Sequence, residues 1–246
     1  MDTANKIAAF RNTIEDDEGF LATCDGGDPG NPERRSIWLF GIEPGWSFAD
    51  EAADGEPDLQ GEERYRQYSV ELQMQWPFNR NAFKLLTALA GGNPENFREF
   101  AMRTQPFVHG SQGYLKGNLF PVPFNNINEW GKEAIESTGF QHKDEYRSWV
   151  RTARFPIMKR WIERARPSLV IGCGLTHSQD FLEITGSQAP PELHRFEVNG
   201  HTKKVVLSKS GIVPVAIVPH LSGGPHGLNS NEAVAKAAGL MRSILN

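Results

Sequence analysis

Apolar residues recur along this chain in two alternating rhythms. Four short runs have the length and the β-branched or aromatic content of buried strands: residues 36–40 (SIWLF), 115–124 (LKGNLFPVPF), 168–172 (SLVIG) and 213–218 (VPVAIV). Between them the apolar positions fall three and four apart. Ile7, Ala8, Phe10 and Ile14 predict an amphipathic helix over residues 2–16. Tyr65, Tyr68, Leu72 and Met74 or Trp76 predict a second over 62–75. Phe83, Leu85, Leu86 and Leu89 predict a third over 80–90, with Asn79 as its N-cap and Gly91-Gly92 as its stop. Further helices are expected over 94–103, 130–137, 144–166 (divided by Pro156), 175–185 and 230–245. Residues 19–35 and 48–59, rich in Gly, Pro and acidic side chains, read as loops. Asn199-Gly200, between strand-like residues 196–198 and 202–207, is a hairpin signal.

Strands that alternate with helices predict an α/β fold: a three-layer αβα sandwich with a central, mainly parallel, four-stranded sheet. One domain is expected over residues 1–246, with a helical and loop extension over about 1–35. Right-handed crossovers carry the strand-end loops to one edge of such a sheet, where ligands bind.

Composition narrows the function. The chain is 39% apolar with 15 Phe and 6 Trp, enough for a packed core. A net charge of −4 gives no general attraction to nucleic acid, so DNA contact would need a local basic face. Arg147, Arg151, Arg154, Lys159, Arg160, Arg164 and Arg166, with Lys203, Lys204 and Lys209, are the candidates, although a charge-rich helix is commonly a solvated face. Cys24 and Cys173 are too few for a disulfide framework or a four-thiolate cluster. The acidic N-terminus has no apolar core of a signal peptide, and no run reaches membrane-spanning length. A cytoplasmic protein without cofactor, metal or membrane partner is expected.

Polar chemistry gathers at the strand ends. Glu43, in Gly41-Ile42-Glu43-Pro44-Gly45, is the only ionisable residue between Arg35 and Asp50. Asn118 follows the second strand, Gly172-Cys173-Gly174 the third, and His220 and Ser222 the last; Phe78 lies between the first two. Each has a plain structural reading: core for Phe78, backbone satisfaction for Asn118, a loop histidine for His220, a turn for Ser222-Gly223-Gly224. In order and context, however, the set resembles the uracil-DNA glycosylase superfamily. GIEPG resembles its first motif, and WPFNRNAFKLLTAL the segment whose Phe stacks on a flipped base. GNLFPVP is similar to the strand whose Asn reads the base, SLVIGCG to the third strand, and VPHLSGG to the terminal His-x-Ser loop. The resemblance spans residues 36–246.

The resemblance implies a hydrolase of DNA repair. It would act as a monomer on DNA and cleave the N-glycosidic bond of uracil or a related damaged base after base flipping. Glu43 and His220 would be catalytic, the first steadying the cationic sugar and orienting water, the second donating to the base oxygen. Gly41, Gly45, Phe78, Asn118 and Ser222 would bind substrate. Asn118 can offer donor and acceptor to a base edge, and Ser222 can meet phosphate. The chain departs from the family in four ways. Glu43 replaces the usual Asp or Asn, and Gly45 stands where the most uracil-selective branch has Tyr. Cysteines for an iron–sulfur cluster are lacking. Leu221 replaces the usual Pro, with Leu221 or Leu228 available to wedge into DNA. Two other functions fit the same residues: a non-catalytic module that binds a nucleobase, nucleotide or protein partner, and a metal hydrolase built on His220, His226 and Glu43.

Overall fold

A computed structural model of the chain describes residues 3–12, 14, 15, 17–45, 68–123, 130–221 and 223–245. Its centre is a seven-stranded mixed sheet in the order β1-β3-β2-β4-β7-β6-β5. The strands are β1 (Gly26–Gly27), β2 (Ile37–Gly41), β3 (Tyr114–Asn118), β4 (Leu169–Cys173), β5 (Glu192–Val198), β6 (His201–Ser208) and β7 (Val215–Val218). The four apolar runs of the sequence form β2, β3, β4 and β7, which pair in parallel at the centre.

The sheet is wider than the expected four strands. The Asn199-Gly200 hairpin joins it, because β6 pairs antiparallel with β7 and β5 antiparallel with β6. This covers an edge of β7 that would otherwise present unpaired backbone groups. Asn199 and Gly200 both have positive φ, 51° and 73°, as a primed two-residue turn requires. On the other side β1 adds antiparallel to β3. The segment 19–35 is therefore not simply loop: it holds part of the helix Asp17–Ala22 and strand β1.

Alternating side chains divide the core into two layers. Leu39, Ile171 and Ala216 face a cluster with the helices Pro77–Leu89, Phe97–Thr104 and Asn231–Arg242. Trp38, Phe40, Val170 and Ile217 face the other side, with Lys143–Ala153, Phe155–Ala165 and Ser178–Ile184. Pro156 divides its helical region as expected, and the break sits at Arg154. Asn79 does not cap the third helix. Pro77 occupies its first turn, where a missing N–H costs nothing, and Asn79 is buried inside it. Ser230 caps the last helix by accepting from the Ala233 N–H. The loop expected over 48–59 and much of the helix expected over 62–75 lie outside the described residues; Val70–Gln73 is helical, capped by Ser69.

Candidate functional site

At the carboxyl ends of β2 and β3, Gly41 and Asn118 stand opposite each other in register. Asn118 is buried, and its Oδ1 lies so close to Gly41 that a Cβ there would come within 2.4 Å. Glycine at position 41 is thus a steric requirement for the Asn118 amide. The amide nitrogen faces the other way, 3.5 Å from Asp25 Oδ2 at the limit of a hydrogen bond.

From Asn118 a continuous set of contacts leads to His220. Asp25 Oδ2 is 2.9 Å from Lys116 Nζ. Lys116, two residues before Asn118 on the same face of β3, holds its ammonium 5.2 Å from the Phe78 ring centre. The Phe78 ring lies 5.2 Å from that of His220, tilted by 49°. His220 is solvent-exposed, yet partial burial of its ring lowers the pKa below the ordinary histidine value. The ring is therefore largely neutral at pH 7. Three sequence candidates, Asn118, Phe78 and His220, are brought together, with Asp25 and Lys116 added between them.

The scaffold holds these groups from two directions. Phe78 and Asn81 are three apart on one helix, so they share a face. Asn81 donates from Nδ2 to the Leu221 carbonyl at 2.6 Å, fixing the His220 loop beside the Phe78 ring. Lys203, buried on β6, donates to the Pro225 carbonyl further along that loop. Beneath Asn118, the fully buried Arg154 donates to the carbonyls of Leu119 and Asn118, at 3.2 Å each, and lies over Phe20. Burial lowers the Arg154 pKa, and its Nη1 finds no partner among the described residues.

Glu43 does not join this group through its carboxylate. Its Oε2 meets Lys143 at 2.9 Å and its Oε1 meets Arg147 at 3.0 Å, both from the helix that covers the opposite face of the sheet. The side chains are 5%, 8% and 16% exposed respectively, so the Glu43 carboxylate is paired away from solvent. A second acid lies nearby in the same layer. Asp180 accepts two hydrogen bonds from Arg151, at 2.7 and 3.0 Å, and contacts His177 Nδ1 at 2.7 Å. Burial alone would raise the Asp180 pKa, but the His177 and Arg151 hydrogen bonds outweigh it and hold the carboxyl below its ordinary value. Phe120 lies between these groups, with Arg147 and Arg151 over its ring and His177 at its edge.

Other expectations are corrected. Arg147 and Arg154 point inward to Glu43 and backbone carbonyls, Lys203 is buried, and the partly exposed Arg151 is paired with Asp180, so none of them offers an unpaired charge to a basic face. Lys159, Arg160, Arg164, Arg166, Lys204 and Lys209 remain exposed. Leu221 and Leu228 are both fully buried in the core and cannot wedge into DNA. Gly45 is exposed, with no described residue within 4 Å of where a Cβ would stand. Ser222 lies outside the described residues. His226 donates from Nδ1 to the Thr202 carbonyl, 3.1 Å away, and no trio of His, Cys, Asp or Glu among the described residues is grouped to hold a metal. Burial pushes the Cys24 thiol up to about 12 and raises Cys173 as well, so neither is a ready nucleophile.

Asp25, Lys116, Lys143 and His177 belong to none of the sequence motifs. Lys116 has a visible signal, a cation in a strand two residues before Asn118, whose side chain must share its face. Asp25, in a Gly-rich segment, has none.

Among the described residues no helix is long and apolar enough to cross a membrane. No protein-family model matches the chain, and no curated protein matches its sequence.

Proposed function

We propose that this protein binds a nucleobase on a uracil-DNA glycosylase-like fold and recognises an unstacked base in DNA. The observation that carries this reading is the meeting of Asn118, Phe78 and His220 around Lys116 at the strand ends. An amide, an aromatic face and a neutral imidazole are what a flat heterocycle needs: edge hydrogen bonds, stacking and a further donor or acceptor. Support comes also from the central parallel order β3-β2-β4-β7, which puts Gly41, Asn118, Cys173 and Val218 at neighbouring strand ends.

Binding is favoured over cleavage by the state of Glu43. A carboxylate that steadies a cationic sugar must keep its charge uncompensated on the substrate side. Glu43 instead shares its charge with Lys143 and Arg147, so the carboxylate is compensated from within the protein. Hydrolysis is the second reading, because Glu43 follows directly on β2 and each carboxylate oxygen retains a further lone pair for water.

The test compares binding of single-stranded oligonucleotides that carry one base, or none, among alkali-stable abasic spacers. The base-bearing strand should bind more tightly, and Phe78→Ala should remove about 1–3 kcal/mol of that preference. Alkali treatment after incubation should reveal no strand breaks. Equal binding of the base-bearing and all-spacer strands would remove the proposal. Strand breaks that disappear in Glu43→Gln would replace binding with hydrolysis.

A further inference from the structure

The sheet ends on one side at β5, a seven-residue strand that pairs only with β6 among the described residues. Val198 and His201 close the Asn199-Gly200 turn as a hydrogen-bonded pair, so Phe196 with Lys203 and His194 with Val205 also face each other through their backbone groups. Leu193, Arg195 and Glu197 therefore turn their N–H and C=O groups outward. Lys236 Nζ donates to the Glu197 carbonyl from outside the ladder, at 3.0 Å. An outward row of this kind is a template for a further strand.

The two faces of β5 say what fits there. Phe196 packs toward the last helix, Asn231–Arg242, and is only partly buried. Beside it lies a groove of about 310 Å³ between β5 and that helix, with Gly239 and Leu240 on its helical wall. A Cβ at Gly239 would meet only Arg242 Nη2, at 3.9 Å, so this wall stays open. Arg195 and Glu197 alternate with Phe196, so they project from the other face, and both are exposed. The edge thus carries one cation and one anion on the same face, and it is complementary to itself.

Register decides which charges meet. An antiparallel copy of β5 centred on Arg195 would set two guanidinium groups opposite each other, which is unfavourable. Centred on His194, it would set Leu193 against Arg195 and place no opposite charges face to face. Centred on Phe196, it sets Arg195 of each copy against Glu197 of the other. We propose that the protein forms a symmetric dimer in which β5 pairs antiparallel with β5 of a second copy about Phe196, so that two sheets become one. Arg195 and Glu197 exchange backbone hydrogen bonds across the axis, and their side chains form reciprocal ion pairs on the outer face. The Phe196 rings meet on the axis beside the grooves. The Glu197 carbonyl has a lone pair for Lys236 and another for the incoming Arg195 N–H. The contact is isologous and closes on itself, which ends growth at two chains. This dimer replaces the monomer that the resemblance implies. Asn118 lies on β3, toward the other edge of the sheet, so the inference is independent of the base-binding reading.

Sedimentation equilibrium of the full chain should show a dimer with a dissociation constant of about 1–100 μM, as suits a small interface. Arg195→Glu and Glu197→Arg each put like charges opposite one another on both sides of the axis. Each should weaken self-association by about tenfold or more. An equimolar mixture of the two variants should form a mixed dimer of near wild-type affinity, because each supplies the charge that the other lacks. The double variant R195E/E197R should self-associate as the wild type does, and recovery in either arm shows that the substituted chains are folded. A wild-type chain that stays monomeric at about 500 μM would overturn the proposal. So would a dimer that neither single substitution weakens, or a mixture and a double variant that both stay as weak as the single variants.

Discussion

Asn81 donates to the backbone carbonyl of Leu221 at 2.6 Å, one helical turn from the Phe78 ring that packs on His220. The helix thus holds the terminal loop by a hydrogen bond and by an aromatic contact at once. Replacing Asn81 with Leu keeps helix and volume but removes the donor. A stability loss of about 1 kcal/mol is expected from the lost bond. Base affinity should fall as well, because His220 is no longer held to Phe78. Denaturant titration reads the first effect and oligonucleotide binding the second. The His220 ring, followed by NMR, should titrate below about 6.5 in the wild type and move toward that value in the variant. An unmoved His220 pKa would show that the loop is held by other contacts.

Glu43 is expected to behave as a structural acid. Glu43→Gln leaves Lys143 and Arg147 buried without their shared carboxylate charge. Loss of a partner from a buried ion pair costs about 3–5 kcal/mol. Urea unfolding should show a cost in that range. A purely substrate-facing carboxylate would give little change, so a stability within about 0.5 kcal/mol of wild type would contradict the ion-pair role.

Gly41→Ala separates site geometry from fold. The new Cβ would come within 2.4 Å of Asn118 Oδ1, so the amide must move or rotate. Base binding should weaken by about tenfold or more, as one hydrogen-bonding group is misplaced. Wild-type affinity in the alanine variant would mean that Asn118 does not read the ligand.

Asp180 makes the stability pH-dependent. Its folded carboxyl titrates below the unfolded value, so the unfolded chain binds the extra proton as pH falls. Its contribution is full above about pH 4, the unfolded aspartate value, and is lost as pH falls through the lower folded pKa. Asp180→Asn should flatten the acid limb of stability below about pH 4 while lowering stability at neutral pH. Identical acid limbs in the two proteins would remove Asp180 from this role.

The parallel centre of the fold is plain in the sequence. Val170, Ile171, Val215 and Ile217 lie in short, continuous apolar runs, and such runs are buried on both faces. The antiparallel edges are less legible. Asn199-Gly200 announces a hairpin, but nothing local says that β6 pairs with β7 or that two glycines, Gly26 and Gly27, form β1. Sheet membership is a tertiary choice. The same limit applies to charge. Arg147, Arg151 and Arg154 look like a solvated basic stripe until their partners appear. Those partners are Glu43, Asp180 and the carbonyls of Asn118 and Leu119, which lie 104, 29, 36 and 35 residues away. Asn118, Phe78 and His220 could be proposed from strand ends alone; Asp25 could not, since its meaning comes only from Lys116 across the sheet edge.

Arg154 also bears on where this chain can be cut. Its guanidinium has Phe20 for a floor and holds the strand end that carries Asn118, while Asp25 and β1 complete the same edge. Phe20, Asp25 and β1 are consequently a foundation for the site. A shortened version beginning at β2 would retain every motif that resembles a glycosylase, yet would leave a bare cation under Asn118 and an open flank along β3. Any expression or grafting strategy that takes its limits from those motifs alone would discard the ground on which they stand.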